Sequence, residues 1–162
     1  MSSASDDWPS LHELAREEHE TILSELTEKV AYDLGRAAAD AAWADQLPVV
    51  VGIWRGEHQL FHAALPGSSL DNDEWLRRKG RVVMRFEHSS LYMGQVCRDA
   101  GTTLQGKFLL PESEYAAHGG AVPLRVASAG VVGWMGISGL PQLDDHALVM
   151  RILREHVTTF SG

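Results

Sequence analysis

The chain has almost no cysteine: Cys97 is the single thiol among 162 residues. One thiol excludes an internal disulfide and a cysteine-rich zinc site. Long apolar runs are also missing, since none approaches the ~18–20 residues of a transmembrane helix. The opening stretch MSSASDDWPS has no basic segment followed by an apolar one, so no secretory signal is read and the cytoplasm is the expected location. Familiar catalytic signatures are absent too: no Walker phosphate loop, no dinucleotide fingerprint, no G-x-S-x-G elbow and no H-E-x-x-H. Internal repeats and interdomain linkers are likewise not found. The hydrophobic share of 44% and charged share of 22% fit one folded globular domain and exclude a disordered chain. Residues 1–9 read as a flexible tail and residues 10–162 as the domain.

Positive charge is scarce relative to negative, with a net charge of −8. A chain of that sign lacks the broad basic face that nucleic acid requires. The imbalance is local. Residues 1–29 carry eight acids and only two bases, Arg16 and Lys29, so the body is close to neutral. One segment runs the other way: Arg77, Arg78, Lys79, Arg81 and Arg85 occur without an intervening acid. Such a run reads as a solvated helix face, with room for one small anion beside it.

Capping and periodicity divide the chain. Ser10-Leu11-His12-Glu13 fits a capping box opening a short acidic helix. Residues 21–26 are compatible with a first strand. Thr27 caps an alanine-rich helix that Pro48 stops. Two strands follow as a hairpin through Arg55-Gly56-Glu57. Two helices come next, divided at His88-Ser89-Ser90. The last two strands, near 121–127 and 131–138, lead to a final helix. Its apolar face is expected at Leu143, Ala147, Met150, Leu153 and Val157. The expected fold is α+β: a five-stranded, mostly antiparallel sheet flanked by helices.

Five local features are candidates for chemistry. Arg85 with His88, Ser89 and Ser90 places a cation, hydroxyls and free amides at a helix start, a ready anion site. His118-Gly119-Gly120, with Arg125 downstream, opens a strand with two glycines that permit close ligand approach. Ser138-Gly139 begins a strand-to-helix turn where Asp144 and Asp145 complement the helix dipole and His146 can face a pocket. His58 and His62, four residues apart on a strand, stand about 13 Å apart and cannot share one ion. No metal site is assigned. Cys97 reads as a buried, inert thiol.

Read in order, these stretches resemble a known family. They are Arg78-Lys79 to His88-Ser89-Ser90 with Tyr92-Met93-Gly94; Tyr115 to Gly120 with Pro123-Leu124-Arg125; and Gly133 through Ser138-Gly139-Leu140-Pro141-Gln142 to His146. Together they resemble the cytosolic branch of the haem-degrading-domain superfamily, related to HbpS-like and GlcG-like proteins, over roughly residues 20–158. The resemblance implies a five-stranded sheet and assembly into homo-oligomers. It implies haem as a cofactor, with weak haem breakdown, but singles out no axial ligand among His88, His118 and His146. The expected function is small-ligand or haem binding. The alternative is a non-catalytic oligomeric adaptor that binds a protein partner.

Overall fold

Side-chain caps set where the helices begin. In the computed structural model, which describes residues 8–160, Ser10 and Glu13 form the reciprocal capping box of helix α1, Leu11–Glu20. Thr27 accepts from the Val30 amide and opens α2, Glu28–Ala44. Strands β1 (Val50–Arg55) and β2 (His58–Ala64) form the hairpin. Helix α3 covers Leu70–Phe86 and ends at Glu87 in the left-handed conformation. Ser89 accepts from the Tyr92 amide and starts α4, Ser90–Asp99. A short α5, Leu104–Phe108, precedes β3 (Ala121–Val126), β4 (Gly130–Ser138) and α6 (Gln142–Phe160).

The sheet has four strands, not five, in the order β2-β1-β4-β3, with every neighbour antiparallel. Of the expected first strand, Leu23 alone pairs, in parallel with Val126. The Leu23 amide donates to the Arg125 carbonyl at 2.8 Å, and the Leu23 carbonyl accepts from Ala127 at 3.1 Å. Ser24 and Glu25 are both exposed and Thr27 already caps α2. The alternation a strand needs therefore fails after one residue. At the described start of the chain, the Arg98 guanidinium lies 3.7 Å from the Trp8 ring centre. Residues 1–7 lie outside the described residues.

Successive residues of β1 serve two cores. Val51 and Ile53, with Val49 just before the strand, face Leu34, Ala38, Val149 and Leu153 of α2 and α6. Val50 and Trp54 face Leu76 and Val83 of α3 on the other side. Helices thus cover both faces of the sheet. Trp54 and Trp134 stack with centroids 4.2 Å apart across β1 and β4. Gly80 lets α3 approach: a Cβ there would fall 2.2 Å from the Trp134 ring.

Helix α6 departs from its expected face. Met150 and Leu153 are buried, but Ala147 is exposed, while Asp145 and His146 are buried at 0% and 4%. Hydrophobic periodicity cannot anticipate a buried acid that is fully hydrogen-bonded. No helix among the described residues is long and apolar enough to cross a membrane.

Gly80→Ala tests the close approach of α3. Alanine normally stabilises a helix interior by up to ~1 kcal/mol. Here the methyl must displace the Trp134 ring, so urea denaturation is expected to show a loss of about 1–3 kcal/mol. A gain in stability would contradict the packing described.

Candidate functional site

Lys79 belongs to the basic run, yet it lies on the buried stripe of α3 with Leu76 and Val83. It is 3% exposed. Its Nζ reaches Asp145 Oδ2 of α6 at 3.1 Å. Asp145 accepts twice more, from the Gly139 amide at 3.3 Å and the Leu140 amide at 3.0 Å. One carboxylate thus fixes the turn between β4 and α6 and anchors α3 to it. Burial pushes the Lys79 ammonium below the usual lysine range and the Asp145 carboxyl above the usual carboxylate range. Each charge opposes the other's shift.

The β3 approach is shaped around this pair. Gly120 has φ +137, and a Cβ there would lie 2.5 Å from the Ile137 carbonyl oxygen and 2.9 Å from Lys79 Nζ. Glycine is required for both reasons. The Gly119 amide donates to Gln142 Oε1 at 3.0 Å. Ser90 Oγ accepts from the Ala121 amide at 3.1 Å, which ties α4 to the start of β3.

Two cavities open here. One, of about 260 Å³, is lined by Trp75, Lys79, His118, Ser138, Gln142 and Asp145, among others. A neighbouring cleft of about 350 Å³ is lined by Trp8, Arg78, Cys97, Arg98, Leu104 and Tyr115. Trp75, His118 and Gln142 belong to both. His118 therefore stands at the junction, its ring 5.2 Å from that of Trp75. No hydrogen bond reaches the His118 ring among the described residues. Partial burial, then the charges of Lys79 and Arg78, hold its imidazole below the ordinary histidine value. At neutral pH the ring is uncharged and keeps a free nitrogen lone pair.

Of the residues expected from sequence, the structure brings together His118, Gly119, Gly120, Ser138 and Gly139. Ser90 supports them from behind. The others lie apart. Arg85 is exposed near Phe86 and Tyr115. His88 Nδ1 is 2.9 Å from Glu18 and its ring stacks on Tyr92. Ser89 is spent on capping α4. The Arg125 guanidinium donates to the Glu87 carbonyl. His146 Nε2 is 2.8 Å from Glu17 of α1, and its buried Nδ1 has no partner. His62 pairs with Asp73. Trp75, Lys79, Gln142 and Asp145 complete the site but were not expected in it. The helical spacing of Leu76, Lys79 and Val83 was the available signal for Lys79.

The whole arrangement can be compared with known proteins. A family model described as haem degrading protein HbpS-like matches residues 26–154. The chain belongs to the HbpS-like haem-degrading family. It is 46% identical over 150 residues to a UPF0303 protein of Streptomyces avermitilis, covering 93% of this chain and 92% of that one. Its fold is similar to the crystal structure of the Ybr137w protein, with a TM-score of 0.87 and 35% identity over 96% of this chain and 92% of that one. It is also similar to a crystal structure of a PduOC:haem complex, with a TM-score of 0.68. That match has 21% identity and covers 81% of this chain and 94% of the other, a likeness of fold. Helix α1 precedes the stretch that the HbpS-like model matches.

Cys97, 5% exposed, lines the same cleft as Trp8, and burial pushes its thiol up. Removing the indole in Trp8→Ala is expected to speed its reaction with a maleimide several-fold. As the single cysteine it reports without interference, and an unchanged rate would show that Trp8 does not cover the cleft.

Proposed function

We propose that the protein binds haem, or a similar flat anionic ligand, in the cleft beside Trp75 and His118. The observation that carries this reading is the place of the His118 ring: at the junction of two cavities, without a hydrogen bond among the described residues, where burial favours its neutral form. A porphyrin supplies four nitrogens to its own iron, so one such imidazole is the ligand the protein must add. Other features of the cleft fit the group. Leu104, Tyr115 and Ala116 give an apolar wall. The Arg78 guanidinium lies 4.3 Å over Trp75, and its buried Nε has no partner. Arg98 adds a second cation. At about 350 Å³ the cleft is small for a ligand site, so a porphyrin enters by one edge unless Trp8 moves aside.

When bound, haem would supply a redox-active iron, and His118 would hold it through its ring nitrogen. The chain's part is to hold that nitrogen unprotonated, shield one face from water and offer cations to the carboxylates. The HbpS-like family and the haem held by the PduOC neighbour support this reading. Weak oxidative breakdown of the porphyrin, with reductant and dioxygen supplied, belongs to it as an activity.

Titration with haemin tests it. The Soret band is expected to shift with the wild-type protein and with His88→Ala, and to lose that shift in His118→Ala. Protonation competes with coordination, and the folded His118 titrates below the ordinary ~6.5. Binding is therefore expected to persist below pH 6.5 and to fail only as the pH falls through the lowered value. A shift unchanged in His118→Ala would overturn the assignment. No shift at all would favour the adaptor reading; Leu109, Leu70 and Trp43 are then the apolar side chains exposed for a partner.

A further inference from the structure

Helix α1 is attached differently from the other helices. Each of those places a side chain in an apolar cluster: Leu34 from α2, Leu76 from α3, Met93 from α4, Leu104 from α5 and Leu153 from α6. Helix α1 buries Leu14 and Glu18, and Leu14 belongs to none of these clusters. What holds α1 is polar. Glu17 Oε2 lies 2.8 Å from His146 Nε2 of α6, and Glu18 Oε2 lies 2.9 Å from His88 Nδ1, just ahead of α4. Arg154 approaches Glu17 and Glu20 at 3.9 and 4.0 Å.

Two buried polar atoms at this seat have no partner among the described residues, Glu18 Oε1 and His146 Nδ1. Both would meet water if α1 moved away, which offsets part of what the bonds contribute. A helix held by a few side-chain bonds and by no shared core opens at a fraction of the global stability. Beyond α1 the chain is pinned by the backbone bonds of Leu23 to Arg125 and Ala127. Movement of α1 therefore turns about residues 21–22. At the other end of the helix, Trp8 lines the cleft beside Arg98 and Cys97.

We propose that α1 is a hinged lid on the 350 Å³ cleft, closed by Trp8 and latched by Glu17 on His146 and Glu18 on His88. The lid admits a ligand too wide for the closed cleft and shields it from water on reseating. Its purpose rests on the ligand-binding reading, but its motion is measurable with no ligand present.

Cys97, the single cysteine, supplies the readout from inside the cleft. Maleimide labelling at one fixed pH and amide hydrogen exchange are followed on the full chain. In the wild type, the α1 amides are expected to exchange at least about a hundredfold faster than those of β1, which report global unfolding. Glu17→Ala/Glu18→Ala removes both latches and is expected to speed Cys97 labelling by about tenfold, with β1 exchange unchanged. Trp8→Ala removes the closing ring and leaves the latch, so labelling rises while α1 exchange stays near wild type. Ile53→Val, in the core on the far side of the sheet, should speed β1 exchange and leave labelling unchanged. Labelling that follows β1 exchange across these variants would overturn the lid, because Cys97 would then be reached only by unfolding. Unchanged labelling in Glu17→Ala/Glu18→Ala would overturn it too. Haemin added in a second arm is expected to bind the latch-free variant several-fold faster than the wild type. If haemin binds neither protein while the labelling and exchange results hold, the haem reading falls and the lid stands.

Discussion

The buried contact between Lys79 and Asp145 is the constraint on which the rest of the site depends. It links α3 on one face of the sheet to the start of α6 at the end of β4. Moving two charges out of water costs several kcal/mol per ion even after relaxation. Two apolar side chains of similar volume would join the helices as well. They would not accept the Gly139 and Leu140 amides, nor present an ammonium to a cavity. The glycine at 120 follows from the same contact, because a side chain there would strike Nζ and the Ile137 carbonyl. The pair thus determines the turn, the β3 approach and the cavity floor together.

Around that floor the chain distributes its remaining charge economically. The acidic front, which in isolation looks like a surface for a basic partner, is partly spent inside the molecule. Glu17 meets His146 at 2.8 Å and Glu18 meets His88 at 2.9 Å. Arg154 adds weaker contacts to Glu17 and Glu20. These bonds seat α1 so that Trp8 lies over Arg98 at the mouth of the cleft. The fit is imperfect: one oxygen of Glu18 and Nδ1 of His146 are buried without partners. Each such atom costs about 1–3 kcal/mol.

Most of the fold was legible in the sequence because caps and alternation are local. Ser10, Thr27 and Ser89 mark helix starts directly, and the valines of β1 announce a strand buried on both faces. The fifth strand was not legible as a failure, since Leu23 and Leu26 are both buried and only their intervening polar pair shows that pairing stops. The site was half legible. His118-Gly119-Gly120 and Ser138-Gly139 stood out by composition. Lys79 and Asp145 were masked by their neighbours, a basic run and an acidic helix start, each with an adequate surface explanation. His88 and Arg85 misled for the opposite reason, being conspicuous residues whose partners are a carboxylate and aromatic rings rather than a ligand. Such pairings join elements distant in sequence, and no local pattern encodes them.

The most direct test of this account is a double-mutant cycle on the pair, with stability read by chemical denaturation. Lys79→Met leaves a buried carboxylate unpaired and is expected to cost about 3–5 kcal/mol. Asp145→Asn retains an acceptor for one amide but strands the ammonium. If the pair organises the site, the double variant loses markedly less than the two single losses combined, with a coupling of about 1–3 kcal/mol. Additive losses would contradict it, because they would mean that Lys79 and Asp145 stabilise the fold independently and that the cavity floor is not built on their contact.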